Sequence, residues 1–393
     1  MTVFFILQNV LLMLAFRLID KNIFVSSIFL FLSVLLANFW MYVEGGYGIL
    51  GLFITLLVEL TLYYLVVIMV RRFKHPVTLY LIVLGWLTIS LFLNNYTFSN
   101  SMFTRDYISY DILMGLFHIG GISLIYYPLA TAFFLGLCYY NKAGLFIVIG
   151  LFVLGNSLLT YKNSTVHPYQ GLDREFCVFA DPANLPVDRV SIMINDSKRS
   201  NCSLMIYPEL FLDGIEMHKD TLISLKLERL MNSLTVGRVI LVGAEVRLAS
   251  GKYINGVIRV VKGNADLIYV KKKFVPFSEK PLFGLLSGNT LYDFSKRATS
   301  SPETSDFDES TMAICYDIVD LFSFDSNIII HVTKEDYFGG SYLQFLYQRY
   351  TSYVALSNEA FIIRSSNGGV SGLYNKDGEL VKPKVQIGRV MRY

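Results

Sequence analysis

Cys315 ends an apolar run, Met312-Ala313-Ile314, and is followed at once by Tyr316-Asp317. Two other reactive groups stand upstream in similar settings. Glu209 closes Ile206-Tyr207-Pro208-Glu209, and Lys271 follows Leu267-Ile268-Tyr269-Val270. One carboxylate, one ammonium and one thiol can together carry out acyl transfer through a thioester. The thiolate is the attacking species. A base must take the thiol proton and later that of the acceptor. A positive group must stabilise the oxyanion of the tetrahedral intermediate. Each residue alone is ordinary. A lone cysteine at a strand end is more often structural. The run Lys271-Lys272-Lys273 reads equally as a solvated face or a lipid-headgroup contact. The case rests on the three together, in this order, each at a strand end where a sheet delivers side chains to one rim.

The elements that must position them fall after residue 170. Short apolar runs at 176–179, 204–207, 239–243, 253–261, 267–270, 312–315 and 328–331 read as strands. Helical spacing appears from His218 to Ser233, with Leu222, Leu225, Leu227 and Leu230 on one side, and again over 341–356. Runs at 361–373 and 380–385 bracket Asn375-Lys376-Asp377-Gly378, a hairpin turn signal. Mixed strands and helices predict a layered α/β sandwich. Between Lys271 and Cys315 lies an apolar stretch, Pro281-Leu282-Phe283-Gly284-Leu285-Leu286, then polar sequence from Lys296 to Asp308. The apolar stretch reads as a lid able to touch a bilayer, or as a loop packed on its own domain.

The first 160 residues are of another kind. The 393-residue chain is 53% hydrophobic and 17% charged, with mean hydropathy +0.48. That is too apolar for one soluble domain and too charged for a pure membrane bundle. The apolar excess lies before Tyr161, leaving about 230 residues for one well-buried domain. The expected division is 1–161 and 162–393. A hydrocarbon core about 30 Å thick needs about 20 apolar residues per helix, and six stretches meet this: about 2–19, 23–43, 47–70, 77–94, 110–139 and 143–161. The first lacks the basic start and cleavage site of a removable signal and reads as a retained helix. Arg17 and Lys21, then Arg71, Arg72 and Lys74, then Lys142 mark alternate loops as cytoplasmic. The amino terminus and the domain after Tyr161 are then extracytoplasmic. Glu59 and His118 inside the predicted helices read as paired residues holding helices together, or as functional groups. Gly120-Gly121 reads as a close-packing site.

The segment Tyr269 to Leu282 resembles the Tyr-x-Lys-x-x-Leu-Val-Pro-Phe-Gly-Glu motif of bacterial apolipoprotein N-acyltransferases, which belong to the nitrilase, or carbon–nitrogen hydrolase, superfamily. Ile206 to Glu209 resembles the base motif of that family, and Ile314-Cys315-Tyr316-Asp317 its Cys-Tyr-Glu nucleophile motif. Glu335-Asp336-Tyr337-Phe338-Gly339 is similar to its Asn-Asp-Ala-Trp-Phe-Gly region, and Arg364 to Gly369 to its late Arg-x-x-Asn-x-Gly segment. The likeness covers about residues 200–385. It implies an α-β-β-α sandwich, here behind the membrane domain of about six spans read from the run lengths, where the typical family member has more spans ahead of its catalytic domain. Glu209 would be the base, Lys271 the oxyanion partner and Cys315 the nucleophile. Glu279 would be the family's second acid, with Tyr316 and Asn255 lining the pocket. The implied reaction moves a fatty acyl group from a phospholipid to Cys315, then to the α-amine of a diacylglyceryl-cysteine on a lipoprotein, at the extracytoplasmic side of a bacterial inner membrane. Asp317 stands in place of Glu, Ser278 of Gly and Tyr337 of Trp, and the chain stops at Tyr393 where the family carries a further membrane helix. These departures resemble those of acyltransferase-like proteins encoded with some plasmid conjugal-transfer systems.

Two other readings stand beside acyl transfer: an amidase of the same superfamily, with water as acceptor, and a catalytically silent membrane scaffold linked to conjugal transfer. A transporter is disfavoured, because the spans show no pair of broken helices. A net charge of +3 argues against nucleic acid as a partner. The five histidines lack metal-ligand spacing, and no cofactor is implied. Cys177 and Cys202 could pair in an oxidising compartment or remain buried thiols.

Overall fold

The computed structural model describes residues 2–43, 48–73, 75–93, 111–116, 127–164, 175–180, 188–218, 221–272, 310–319, 326–336, 342–387 and 389–393. The chain divides into two compact units, the first formed mainly by Met1–Thr165 and the second by most of the chain that follows.

The first unit is helical. Helices α1 (Thr2–Leu18), α2 (Ile23–Val43), α3 (Gly48–Arg72) and α4 (Pro76–Leu93) follow one another. A π-helical turn at Asp111–Leu116 comes next, then α5 (Tyr127–Tyr140) and α6 (Lys142–Ser164). Pro76 opens α4, where its missing N–H costs nothing. Several polar groups inside this unit are paired, as an apolar surround requires. Ser26 Oγ donates to the Ala15 carbonyl at 2.6 Å, and Tyr63 Oη donates to the same oxygen at 3.2 Å. Asn156 Nδ2 donates to Asp111 Oδ2 at 2.9 Å. At Gly155 a Cβ would lie 2.0 Å from the Asp111 carbonyl oxygen, so only glycine lets α6 approach the π-helical turn this closely.

Among the described residues, one helical stretch, Lys142–Leu159, is long and apolar enough to cross a bilayer. Phe5–Leu18, Ile23–Leu36, Pro76–Leu87 and Leu129–Tyr140 are shorter apolar stretches. The six-span arrangement therefore rests on run lengths and loop charges. The predicted span at 110–139 corresponds to the π-helical turn and α5. His118, Gly120-Gly121 and the side chain of Glu59 lie outside the described residues.

The second unit is an α/β structure on two sheets. The strands of the larger are β1 (Phe176–Phe179), β2 (Leu204–His218), β3 (Thr221–Ile223), β4 (Val239–Leu248), β5 (Tyr253–Val261), β6 (Asn264–Val270), β12 (Val385–Ile387) and β13 (Val390–Arg392). Their order is β12-β13-β1-β2-β4-β5-β6, with β3 added to β2. The smaller comprises β7 (Thr311–Ile314), β8 (Ile328–Lys334), β9 (Phe361–Asn367), β10 (Gly372–Tyr374) and β11 (Leu380–Val381). Their order is β11-β10-β9-β8-β7. The pairs β1/β2, β2/β4, β7/β8 and β8/β9 are parallel. Alternate residues of both sheets, Val178, Ile206, Leu241, Met312, Ile330, Val332 and Ile363 among them, form one apolar cluster between the sheets. Ser365 Oγ crosses it to donate to the Ile206 carbonyl at 3.1 Å. The other face of the larger sheet packs on helices α7 (Arg189–Ser200) and α8 (Leu225–Ser233) through Val190, Met193, Leu227 and Leu230. Helix α9 (Tyr342–Asn358) packs beside the turn after β10, where a Cβ at Gly378 would lie 2.4 Å from the Ser352 carbonyl oxygen.

Several elements differ from the reading of the sequence. The strand placed at 204–207 runs on to His218 through Pro208-Glu209. It does so by breaking register: the pairing of β2 with β4 shifts between Tyr207 and Leu212 and again before Ile215, and Leu210 takes φ +53°. The helix placed at 218–233 begins only at Leu225, capped by Ser224, whose Oγ accepts the Lys226 N–H at 3.2 Å. Leu222 lies instead in β3, which pairs antiparallel with β2. Helix α7 was not foreseen, although Asp188 caps it through the Ser191 N–H at 3.0 Å. Its apolar residues Val190, Met193 and Ile194 follow helical spacing. Strand β13 was likewise not foreseen; it pairs with β1 at the end of the chain.

Cys177 in β1 and Cys202, just ahead of β2, are joined as a disulfide. Closing a loop of 25 residues restricts the unfolded chain by about 3 kcal/mol. The Cys177→Ala/Cys202→Ala protein is expected to lose about that much stability in urea unfolding. An unchanged midpoint would mean that the bond does not form.

Candidate active site

Glu209 is placed by the irregularity in β2. At Gly243 of β4 a Cβ would fall 2.5 Å from the Glu209 Cα, so the missing side chain makes room for the bulge. Both carboxylate oxygens are engaged. Oε1 accepts from Asn255 Nδ2 at 2.7 Å and from Lys271 Nζ at 3.1 Å. Oε2 accepts the Lys334 N–H, at the end of β8, at 2.9 Å. Asn255 lies on β5, and Lys271 follows β6, so one carboxylate fastens the larger sheet to the smaller. The Glu209 and Lys271 side chains are only 3% and 1% exposed. A buried ion pair is weak as a device for stability, because desolvation offsets its attraction.

Cys315 begins a short 3-10 helix, Cys315–Val319, directly after β7. Its φ is +47°, in the left-handed region that a non-glycine residue rarely enters. Strain of this kind persists where the surroundings over-determine it. Here Asp317 supplies part of that restraint. Its Oδ2 accepts the Ile314 N–H at 3.1 Å and the Tyr269 hydroxyl at 3.0 Å, and its Oδ1 accepts the Lys272 N–H at 3.1 Å. One carboxylate thus ties the turn bearing Cys315 to residues on either side of Lys271.

His331 on β8 adds to that restraint. Its Nε2 meets the Cys315 carbonyl at 3.1 Å. A carbonyl only accepts, so Nε2 carries the proton. Burial pushes this imidazole well below the ordinary histidine range, and the Arg364 and Lys271 charges add to the effect. The sign for stability follows. Below about pH 6.5 the unfolded chain binds a proton that the folded one refuses, so stability falls as the medium is acidified. Between pH 6.5 and 5 the loss is expected to approach about 1.4 kcal/mol per pH unit, and His331→Asn to flatten that slope. Urea unfolding at the two pH values checks it.

Beside His331 is a second buried ion pair, Arg364 on β9 with Glu335, both 0% exposed. Burial pushes the Glu335 carboxyl up, while Arg364 and the Ser366 and Thr333 hydroxyls pull it back. Burial disfavours the Arg364 cation, yet Glu335, Tyr374 and Tyr347 together hold it above its ordinary range.

Of the residues singled out in the sequence, Glu209, Lys271 and Asn255 are brought into direct contact. Tyr316 is buried next to Cys315, and burial raises its phenol. Glu279, Ser278, Tyr337, the apolar stretch 281–286 and the polar run 296–308 lie outside the described residues. Asp317 was noted only as a departure, and His331 and Tyr347 were not singled out. The signal for His331 is faint: one imidazole in an otherwise apolar strand, Ile328-Ile329-Ile330-His331-Val332.

Comparison with known proteins gives partial likenesses. The chain is similar in sequence to apolipoprotein N-acyltransferases, as its motifs indicated, and resembles solved members of the carbon–nitrogen hydrolase superfamily. No family model matches it. The apolipoprotein N-acyltransferase of Pseudomonas aeruginosa is 31% identical over 160 residues, which is 36% of this chain and 31% of that protein. The enzyme of the same name from Pseudomonas syringae pv. tomato is 28% identical over 176 residues, 40% of this chain and 34% of its own. The match thus spans about a third of each relative's length. Among solved structures, a CN-hydrolase superfamily protein from Xanthomonas campestris has 13% identity and a TM-score of 0.41, covering 57% of this chain and 90% of its own. A carbon-nitrogen hydrolase from Helicobacter pylori has 12% identity and a TM-score of 0.36, covering 56% and 88%.

Proposed function

We propose that this chain is a membrane-bound N-acyltransferase that carries a fatty acyl group from a phospholipid on Cys315. The observation that carries the reading is the buried Glu209–Lys271 pair, with Asn255 and the Lys334 N–H on the same carboxylate. An enclosed ion pair of this kind does little for stability, which favours a role in the chemistry for it. In the first half-reaction Glu209 takes the Sγ proton and the sulfur attacks the ester carbonyl. The C–S bond forms, the ester C–O bond breaks, and the lysophospholipid oxygen leaves with the proton that Glu209 returns. In the second half an amine attacks the thioester, the C–N bond forms, the C–S bond breaks, and Glu209 receives the amine proton. Lys271 stabilises the oxyanion in both halves. Glu279 serves as a second acid, and Tyr316 and Asn255 line the pocket. The acceptor is the amino terminus of a lipoprotein bearing a diacylglyceryl-cysteine, or a similar amine.

The setting is the bacterial inner membrane. Residues 1–161 form the membrane domain of about six spans, and 162–393 the catalytic domain on the extracytoplasmic side. Large apolar side chains facing outward on the helices favour this: Phe24, Phe53, Ile68 and Phe146 are 60–71% exposed. The Cys177–Cys202 bond favours the oxidising side of the membrane.

The test is intact-mass measurement of the purified protein after incubation with phospholipid vesicles, with Cys315→Ala alongside. The expected result is a hydroxylamine-sensitive fatty-acyl increment on the parent that is absent from the variant. Folded parent protein that gains no adduct from any common phospholipid would sink the reading and leave an amide hydrolase or a scaffold.

A further inference from the structure

The second polar group at Cys315 comes from a helix outside the sequence motifs. Tyr347, in the second turn of α9, places its hydroxyl 3.8 Å from Cys315 Sγ, within reach for a sulfur hydrogen bond, and both side chains are buried. We infer that Tyr347 is a catalytic residue whose hydroxyl donates a hydrogen bond to the Cys315 thiolate. This rests on Cys315 being the nucleophile and adds a component that neither the Glu-Lys-Cys reading nor the sequence comparison assigns.

Three observations converge on it. The first is chemical direction. A thiol and a phenol can each donate, but a thiolate can only accept, so ionisation of Cys315 fixes Tyr347 as the donor. The phenol keeps its proton in this role. Burial raises it well above its ordinary range, and the charge that Cys315 would carry adds to the effect. The second is placement. The Cys315 carbonyl is held by His331 and the Ile314 N–H before it by Asp317, so the backbone of Cys315 is restrained. Tyr347 meets that sulfur from α9, whereas Glu209 and Lys271 belong to the larger sheet and its edge. The third is surroundings. Tyr316 and Glu335 act electrostatically on the Tyr347 phenol, and the buried Arg364 cation, paired with Glu335, is coupled to it as well. A neutral donor there stabilises the thiolate without competing with Lys271 for the oxyanion.

The role recurs in each half-reaction. Before acylation Tyr347 stabilises the thiolate formed when the sulfur proton passes to Glu209. In the thioester the sulfur is uncharged and a poor acceptor, so the hydrogen bond is weak. When the amine displaces the acyl group, the sulfur leaves as a thiolate, and the bond strengthens again. Tyr347 therefore favours both the entering nucleophile and the same atom as leaving group. Lowering a thiol's proton affinity also lowers its intrinsic reactivity, which limits the net gain to less than the change in thiolate population.

The test does not depend on the acyl donor. The full-length protein is treated with iodoacetamide from pH 5 to 10, and carbamidomethylation of the Cys315 peptide is quantified separately from that of Cys138. Alkylation forms the S–C bond and releases iodide, so its pH profile reports the thiolate. Tyr347→Phe keeps the ring and removes the donor. The midpoint of the profile is expected to rise by about half to one pH unit, with a several-fold slower reaction at neutral pH. The melting temperature serves as the control for packing. A second protein, with 3,5-difluorotyrosine installed at position 347, keeps the shape and strengthens the donor, so its midpoint is expected to fall. An unchanged midpoint in either folded protein would overturn the assignment. A shifted midpoint in a protein that takes no acyl group from phospholipid would retain Tyr347 while removing the acyltransferase reading.

Discussion

Glu209→Gln is expected to slow acylation of Cys315 by about 10²–10⁴-fold, the usual contribution of a positioned base. The substitution preserves shape and leaves one amide oxygen to accept from Lys271 or Asn255. It removes the capacity to take the sulfur proton. It also places an NH₂ group where two donors, the Lys334 N–H and Lys271 Nζ, now point at opposite oxygens. One of those donors must lose its acceptor, so a stability loss of about 1–3 kcal/mol accompanies the kinetic one. The two effects are separable. Rates measured by acyl-adduct mass at a temperature well below the unfolding transition isolate the first, and urea unfolding measures the second. Combined with Cys315→Ala, the Glu209 change should have no further effect on acylation, because residues that act as one unit are not additive. A Glu209→Gln protein that acylates within about threefold of the parent would remove Glu209 from the chemistry.

Arg364→Met is expected to be the most destabilising single change in the second unit. Arg364 and Glu335 are completely enclosed, and removing one member of a buried pair leaves an uncompensated charge, at a cost of about 3–5 kcal/mol. That is a large fraction of the total stability of a typical domain. Removing both charges should restore much of the loss. The Arg364→Met/Glu335→Leu protein is expected to regain more than half of it, since the pair itself contributes little net stability once desolvation is counted. Chemical unfolding of the two single variants and the double one closes the cycle. A loss below about 1 kcal/mol for Arg364→Met would mean that Glu335 is already neutral in the folded protein.

The parts of this molecule that could be read in the sequence are those carried by chemistry and by local turns. Pro208-Glu209 and the Lys271 cluster each stand at a strand boundary or bulge, and Glu209 and Lys271 do meet. Asn375 to Gly378 forms the turn its residue types require, with Asn375 Oδ1 accepting the Asp377 and Glu379 N–H groups. What could not be read is non-local. Strand β2 continues past Pro208 because β4 pairs with it beyond the bulge, and nothing within residues 204–218 signals that partner. Strand β3 carries Leu222 at a spacing that also suits a helix, and the choice is made by pairing with β2. The roles of Asp317, His331 and Tyr347 depend on contacts across 3, 16, 32, 45 and 48 residues of chain, most of them too distant for any local pattern to report.

The way Glu209 is held has a consequence for biosynthesis. Its two oxygens accept from different sheets, and the donor on the smaller sheet lies 125 residues further along the chain. The carboxylate therefore gains its full set of donors only once β8, well along the second unit, has been made and has docked. A nascent or half-assembled chain would carry an exposed thiol without an organised base. A chain cut ahead of β8 is therefore expected to lack one of the donors that fix Glu209, even where its larger sheet has formed, so ordering of this carboxylate would report completed folding of the second unit.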